Sequence, residues 1–411
     1  MTKNVEARKK LKFAYFVLPH IGGTYTVYKS VRAGLATHDV EVRWLGVGPE
    51  ALGAIKHAQW IDELCHGTIV GGDKKEDRAQ AQSIIHHLEE EGYDGVFVNA
   101  ACDRVHSNVI RYLDPRILRI MTVHTITIGT YAGAKVLRDH VHSTICVSPR
   151  IRDDLVKKYA FPCAHTHLIP NAINISPFVH QERQLTHKNR LNILFLGRIL
   201  DTDKGVYWLP QIMDLLADCP VQLTIAGDGP DLVELRRRCL HLEDRIRFIG
   251  RVHPDQVPQV LSEHDVFIFP SRFEGLPLSL VEAMAAGCVP VASRIKGVTD
   301  FVVSEGKDGL LFDIGNVREA ALCVRNLIDN PSQLITLSNA ARKSAAGRFE
   351  LANMAKSYLD VVQHVKDAPR EINAPLSMEK WTYPAGLRPG LRTYLPNDIK
   401  KWIRLWRERL A

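Results

Sequence analysis

The sequence contains no apolar run close to the about 20 residues that are needed to cross a bilayer. Its first apolar run, FAYFVL, is shorter than the apolar region of a signal peptide and no small-residue cleavage site follows it. Internal repeats and low-complexity tracts are also missing. We therefore expect a cytoplasmic globular protein and exclude the membrane-spanning and disordered classes.

Closely spaced cysteines are also lacking. The eight cysteines are scattered along the chain and form no C-x-x-C motif. This pattern excludes a disulfide framework or a zinc site of the common spacings and agrees with a reducing compartment.

An excess of basic residues is also lacking outside the two ends of the chain. The formal net charge is +7, of which residues 1–12 contribute +4 and residues 379–411 contribute +5, leaving −2 for the rest. A nucleic-acid binder would carry its basic stripe on the folded body, so we expect no nucleic-acid partner.

Short β-branched and aromatic runs alternate with helical stretches, which is the pattern of parallel β/α units. Strands are predicted at residues 11–18, 41–47, 95–99, 118–124, 143–148, 191–197, 221–227, 245–250, 265–270 and 289–293. The fold class is therefore α/β, with two doubly wound, Rossmann-like domains facing a cleft. We place them at residues 1–179 and 191–368, with a polar linker at 180–190 and a C-terminal helical extension at 369–411.

Polar and small residues follow several of these strands, where a parallel sheet binds its ligands. Gly22 and Gly23 follow the first strand and would let backbone N–H groups approach a phosphate, although such pairs also occur in plain turns. Arg198 and Lys204 follow another strand, in FLGRILDTDKGV. Two cations at one strand end suit a diphosphate, while either one alone would fit a solvated turn.

The stretch FEGLPLSLVEAMAAG holds two carboxylates in an otherwise apolar run. It predicts a loop followed by a helix with Ser279 as N-cap and Gly287 as the stop. Glu282 would then complete an S-x-x-E capping box with Ser279, which competes with a ligand-binding role. Glu274 has no such structural explanation, and sugar hydroxyls would be suitable partners for a half-buried carboxylate.

These residues carry a resemblance to a known family. EGLPLSLVEAMAAGCVPV resembles the E-x7-E signature of the retaining, glycogen-synthase-like glycosyltransferases with the GT-B fold, known as family 4. GGT, TVHT, LGRILDTDKG, IAGDGP, RIRFIGRV, KDGLLF and RFELANMAKSYL occur around it in the order typical of the family, over residues 11–365.

The resemblance implies an acceptor-binding first domain and a second domain that binds a nucleotide diphosphate sugar. Arg198 and Lys204 would contact the diphosphate, together with Gly22, Gly23 and the loop residues Gly275, Leu276 and Leu278. Glu282 would bind the ribose and Glu274 the transferred sugar, while His124 would lie near the reacting carbon. By itself, a lone histidine at a strand end is more often structural.

No metal or cofactor is expected, because fixed cations and a helix dipole can stabilise a leaving diphosphate. The D-x-D string Asp201–Asp203 is read as a surface turn and not as a metal ligand. Arg198 and Lys204 are one residue further apart than is common in the family, so we expect the loop between them to bulge.

The end of the chain, NDIKKWIRLWRERLA, has the pattern of a basic amphipathic helix. It would suit an anionic membrane surface and a lipid-linked acceptor, as in surface polysaccharide or glycolipid synthesis. It would equally suit packing against the first domain. A nucleotide-sugar epimerase on the same fold and a non-catalytic sugar-nucleotide-binding subunit remain as alternatives to the glycosyltransferase.

Overall fold

The computed structural model describes residues 10–20, 22–56, 58–179, 190–388 and 399. Their contacts divide the chain into two compact units. Unit 1 contains described residues up to 147, then 151–170 and 351–388, and unit 2 contains 148–150 and 171–350. The predicted linker, except for Arg190, lies outside the described residues.

Unit 1 has a sheet of seven parallel strands in the order β3-β2-β1-β4-β5-β6-β7. The strands are β1 Leu11–Phe16, β2 Val40–Val47, β3 Gly67–Val70, β4 Gly95–Asn99, β5 Leu118–Val123, β6 Ser143–Cys146 and β7 Thr166–Leu168. The helices that belong to it are α1 Gly23–Ala36, α2 Gly48–Ala54, α3 Asp77–Glu90, α4 Arg104–Val109, α5 Ile128–Leu137, α6 Pro149–Tyr159 and α16 Leu351–Asp367.

Unit 2 has a sheet of six parallel strands in the order β10-β9-β8-β11-β12-β13. The strands are β8 Leu191–Leu196, β9 Val221–Ala226, β10 Ile246–Gly250, β11 Val266–Phe269, β12 Val289–Ser293 and β13 Leu310–Phe312. The helices are α7 Ser176–Val179, α8 Asp201–Lys204, α9 Trp208–Leu215, α10 Leu232–Arg238, α11 Val257–Ser262, α12 Leu278–Ala286, α13 Thr299–Val302, α14 Val317–Asp329 and α15 Pro331–Arg348.

Short 3-10 helices complete the described secondary structure. They lie at Ala58–His66, Ile110–Tyr112, Arg138–His140, Cys163–His165, Leu240–Leu242, Pro254–Gln256 and Met378–Lys380. Strands β4, β11 and β12 are buried along their whole length, as strands covered on both faces should be.

Each sheet has one point at which the strand order reverses, between β1 and β4 in unit 1 and between β8 and β11 in unit 2. Open parallel sheets bind their ligands at the carboxyl ends of the strands beside such a switch point. Each unit therefore offers one favoured position for a site.

The structure places the unit boundaries differently from the sequence prediction. Residues 351–368, assigned by sequence to the second domain, pack with unit 1. The physical reason is that α16 buries Met354, Tyr358 and Val362 and packs against α1. The chain thus returns to unit 1 about one helix earlier than its composition indicates.

The first part of the C-terminal extension also packs on unit 1. The Trp381 ring lies 4.8 Å from the Tyr112 ring, and the Tyr383 hydroxyl donates to Asp77 Oδ2 at 2.7 Å. Leu387 is buried. The basic amphipathic segment that follows, apart from the exposed Ile399, lies outside the described residues. No helix in the described ranges combines the length and apolar character required of a membrane span.

Candidate functional site

The predicted cationic loop of unit 2 begins where β8 ends. Arg198 follows β8 and Gly197, and the next residues form α8, a single helical turn that ends at Lys204. The loop that was expected to bulge thus contains one helical turn. Gly205 stops the turn with φ 60°, and a Cβ there would lie 2.3 Å from the Pro270 carbonyl oxygen. The position of Lys204 thus depends on a glycine.

The prediction that Asp201–Asp203 is a surface turn is wrong for Asp201, which is buried. Its Oδ1 accepts from the Tyr207 N–H at 3.0 Å, and its Oδ2 lies 3.4 Å from Arg272 Nη2. The Arg272 guanidinium in turn lies 3.6 Å from the centre of the Trp208 ring. Asp201 therefore stabilises α8 through these contacts. Within the described ranges, no group of three or more His, Cys, Asp or Glu side chains is placed to hold a metal ion.

Lys204 and Glu274 are joined directly. Lys204 Nζ donates to Glu274 Oε1 at 2.5 Å, and these side chains are 22% and 11% exposed. The loop that carries Glu274 is attached to α8 because the Arg272 N–H donates to the Asp203 carbonyl at 2.7 Å. Glu274 thus has a structural partner that the sequence did not indicate, since that partner is 70 residues away.

The helix after Glu274 begins two residues earlier than predicted. Its N-cap is Pro277 and not Ser279, and no side chain caps it. The capping box expected between Ser279 and Glu282 is therefore wrong, because Ser279 already lies inside the helix. The end is as predicted, since Gly287 adopts φ 83°. Among the described residues, the N–H groups of Gly275, Leu276 and Leu278 have no partner and can bind an anion at the helix N-terminus.

Glu282 is half-buried in α12. Its carboxylate makes no hydrogen bond or ion pair with any residue that the structure describes. Burial raises the pKa of Glu282 to about 7. A carboxylate that is poorly solvated and has no protein partner is suited to accept hydrogen bonds from ligand hydroxyls.

Arg198 is exposed, and its guanidinium has no ion pair or hydrogen bond within the described part of the chain. It follows β8, and Glu274 follows β11, so both lie at the carboxyl ends of the two strands that flank the switch point of unit 2. Unit 2 thereby collects Arg198, Lys204, Glu274 and the α12 N-terminus at one end of its sheet.

In unit 1, Gly22 and Gly23 lie at the start of α1. Gly22 is the N-cap, no side chain caps the helix, and the first turn contains no acidic residue. Within the described ranges the N–H groups of this first turn have no acceptor. The phosphate contact at Gly22 and Gly23 stays a prediction.

His124 lies directly after β5 and is half-buried. Its Nε2 is 2.8 Å from Asn99 Oδ1, and burial lowers the pKa of His124 to about 4. Asn99 is the last residue of β4, the neighbouring strand at the switch point of unit 1. The imidazole is thus neutral at pH 7 and held by a side-chain amide.

Sequence reasoning missed Asn99 and Arg272. The only signal for Asn99 was a polar residue at the end of the buried strand GVFVN, and Arg272 had none. From the sequence we also expect loops of the first domain, such as Gly129–Lys135, to set acceptor specificity. That segment is not a loop, because it belongs to helix α5.

The two parallel-sheet units have the architecture of the GT-B fold. The chain matches the structure of Anabaena Alr3699/HepE in complex with UDP-glucose with a TM-score of 0.71, covering 86% of this chain and 99% of that one. The sequence identity is 20%, so this match establishes the fold. The predicted fold class is confirmed.

The sequence of unit 2 shows what the chain is similar to. Residues 190–330 match the model of the glycosyl transferases group 1 family. The chain is 30% identical over 184 residues to the phosphatidylinositol N-acetylglucosaminyltransferase gpi3 subunit of Schizosaccharomyces pombe, covering 43% of this chain and 40% of that protein. It is 25% identical over 276 residues to a glycogen synthase of Mycobacterium tuberculosis, covering 61% and 64%. The chain thus spans less than two thirds of the length of these curated relatives. The predicted resemblance to glycosyltransferases is confirmed at the level of the group 1 family model, over residues 190–330.

Proposed function

We propose that the protein is a retaining, metal-independent glycosyltransferase that moves a sugar from a nucleotide diphosphate sugar to an acceptor hydroxyl. The observation that carries this proposal is the contact between Lys204 and Glu274 at the switch point of a group 1 domain. The contact places Lys204, which can bind a phosphate, beside Glu274, which can bind sugar hydroxyls. In a nucleotide diphosphate sugar, the phosphate and the sugar lie on the two sides of the bond that breaks.

Arg198 and Lys204 bind the diphosphate, with the N–H groups of Gly275, Leu276 and Leu278 at the N-terminus of α12. These groups stabilise the negative charge that develops as the sugar–phosphate bond breaks. Glu274 orients the sugar through its hydroxyls, and Glu282 accepts hydrogen bonds from the ribose. His124, Gly22 and Gly23 are the contribution of unit 1 to the same reaction.

The acceptor hydroxyl attacks the anomeric carbon on the face from which the diphosphate leaves, so the configuration is retained. The bond from the anomeric carbon to the phosphate oxygen breaks, its electron pair stays on the diphosphate, and the acceptor proton passes to that leaving oxygen. His124 is neutral near pH 7, so it accepts a hydrogen bond from a sugar hydroxyl without adding a charge.

Metal independence is supported by how the protein uses its own charges. Asp201, which starts the D-x-D string, is committed to the Tyr207 N–H and to Arg272. The charges near the diphosphate then come from Arg198 and Lys204.

The acceptor that we propose is a carbohydrate or a lipid-linked sugar, in surface polysaccharide or glycolipid synthesis. One relative is named for phosphatidylinositol, which supports a lipid-linked acceptor. The +5 charge of residues 379–411 supports a peripheral position on the inner face of the cytoplasmic membrane.

A thermal-shift screen over nucleoside diphosphates and their sugars tests donor binding, because a ligand of the folded state raises the apparent unfolding temperature. We expect one nucleoside diphosphate and its sugars to stabilise the protein. No shift with any member of the panel would contradict the proposal.

Two variants then separate the roles of the carboxylates. We expect Glu274→Ala to abolish transfer and to leave nucleoside diphosphate binding measurable, whereas Glu282→Ala mainly weakens donor binding. Glu243→Ala, which changes an exposed residue of the same unit, is the matched control. Full transfer activity of Glu274→Ala would refute the role assigned to Glu274, and an epimerised donor as the only product would favour the epimerase.

A further inference from the structure

Asn99 makes three side-chain contacts at the switch point of unit 1. Its Oδ1 lies 2.8 Å from His124 Nε2 and accepts from the Tyr15 hydroxyl at 3.3 Å. Its Nδ2 donates to the Phe16 carbonyl at 3.3 Å. Asn99 is 2% exposed and Tyr15 is fully buried, so water does not compete freely for these bonds.

The Phe16 carbonyl fixes the orientation of this amide. A carbonyl oxygen only accepts hydrogen bonds, so it must face the Nδ2 group of Asn99, and Oδ1 must face His124. The opposite orientation would place two carbonyl oxygens against each other at a buried position, which is costly.

Oδ1 is itself only an acceptor, so the imidazole nitrogen that faces it must carry a proton. We propose that Asn99 is a positioning residue that holds His124 as the Nε2–H tautomer and thereby presents Nδ1 as a hydrogen-bond acceptor. Among the described residues Nδ1 has no partner, so its lone pair is free for a ligand.

The surroundings favour this neutral form. Burial lowers the pKa of His124 to about 4. Burial also raises the pKa of Tyr15, whose hydroxyl contacts the same Asn99 oxygen, well above its ordinary value. Tyr15 is therefore neutral near pH 7 and supplies no negative charge that would stabilise an imidazolium.

The consequence for ligand chemistry rests on the proposed function. A lone pair at Nδ1 attracts a hydroxyl hydrogen and repels a phosphate oxygen. His124 therefore recognises a hydroxyl of the transferred sugar and leaves the diphosphate to the cations of unit 2. A protonated histidine would do the opposite and draw the anionic part of the donor toward itself.

The tautomer can be measured in the full-length protein without any ligand. Nitrogen NMR of protein labelled with 15N-histidine distinguishes the two tautomers, and His124→Gln assigns the signal. We expect the wild type to show one Nε2–H tautomer near pH 7, with its proton protected from exchange. A signal from Nδ1–H, or an average of the two tautomers, would overturn the proposal.

Three variants test the part played by Asn99. Asn99→Leu keeps a similar volume but removes the acceptor, so we expect the protected proton to be lost. Asn99→Asp keeps an acceptor oxygen facing Nε2, so we expect the Nε2–H signal to remain, while the added negative charge raises the pKa of His124. Tyr15→Phe removes only the other donor to Oδ1 and should leave the tautomer unchanged. A protected Nε2–H in a folded Asn99→Leu variant would overturn the proposal. If Asn99→Leu does not fold, loss of the Nε2–H signal in Asn99→Asp would overturn it.

Activity gives a separate reading. With UDP-glucose as the probe and water as acceptor, we expect Asn99→Leu to lower kcat by up to about 100-fold with a small change in KM, because His124 is misplaced and the diphosphate contacts are intact. Asn99→Asp should recover kcat only at pH values above the raised pKa of His124, where Nδ1 is again an acceptor. Absence of turnover in the wild type with every nucleotide sugar would contradict the proposed function, while the NMR result would still decide the tautomer.

Discussion

Lys204 Nζ and Glu274 Oε1 lie 2.5 Å apart, and this contact ties the turn after β8 to the loop after β11. Both side chains are mostly buried, so neither charge is well solvated without the other. The pair therefore holds the candidate donor site in shape before any ligand binds. When a donor binds, its phosphate contacts Lys204 and its sugar contacts Glu274, and these contacts replace the ion pair between the two side chains.

A double-mutant cycle tests this pair. We expect Lys204→Met and Glu274→Gln each to lower the free energy of unfolding of unit 2 by about 1–3 kcal/mol, because each leaves a half-buried charge unpaired. The double variant should lose less than the sum of the two. Urea unfolding measures these values, and additive losses would contradict direct coupling.

Glu282 predicts a pH dependence with a definite sign. Burial raises its pKa from 4.5 to about 7, so the folded state binds the proton more tightly than the unfolded state does. Glu282 should therefore lower the free energy of unfolding by at most about 1.4 kcal/mol per pH unit as the pH rises from about 4.5 to 7, with no further change above that. The free energy of unfolding of the Glu282→Gln variant should not show this decrease.

Urea unfolding of the wild type and of Glu282→Gln at a series of pH values measures the difference. The glutamine variant should gain stability relative to the wild type through this window and keep the gain at pH 8. Parallel stability curves would show that Glu282 is not perturbed in the folded protein.

Gly205 offers a steric test with a matched control. Gly205 and Gly250 both have positive φ, at 60° and 72°, but a Cβ at Gly205 meets the Pro270 carbonyl oxygen at 2.3 Å, whereas one at Gly250 has nothing within 4 Å. Gly250→Ala should cost about 1–2 kcal/mol from backbone strain alone. Gly205→Ala should cost more and should also weaken nucleoside diphosphate binding, because Lys204 moves. Equal losses in the two variants would mean that the close contact at Gly205 is easily relieved.

The C-terminal segment can be tested without disturbing unit 1. Residues 381–387 are packed there, so a deletion of residues 389–411 removes the basic end and keeps Trp381, Tyr383 and Leu387. We expect the full chain to sediment with vesicles of anionic phospholipid, less so at high salt, and the shortened chain to remain in solution. Neutral phosphatidylcholine vesicles are the control. Equal binding of both chains to anionic vesicles would exclude the tail as the membrane contact.

The sequence predicted ten strands that the structure contains and missed β3, β7 and β13. All three are sheet edges of three or four residues. A run of that length gives too few residues for a periodic pattern, and an edge strand needs less apolar surface than a central one.

The two carboxylates of FEGLPLSLVEAMAAG show the same limit at the level of the site. Local spacing assigned a structural partner to Glu282 and none to Glu274, and the structure reverses both assignments. The helix starts at Leu278, so Ser279 cannot form the capping box, and Glu274 pairs with Lys204.

The sequence alone determined the parallel α/β class, the strand ends at which charged and small residues gather, and the resemblance to group 1 glycosyltransferases, because these depend on local patterns and on motifs within one segment. The tertiary structure decided which of those residues have partners. Lys204 and Glu274 are 70 residues apart, and Asn99 and His124 are 25 apart on neighbouring strands. The strand pairing that brings each couple together is a property of the folded sheet.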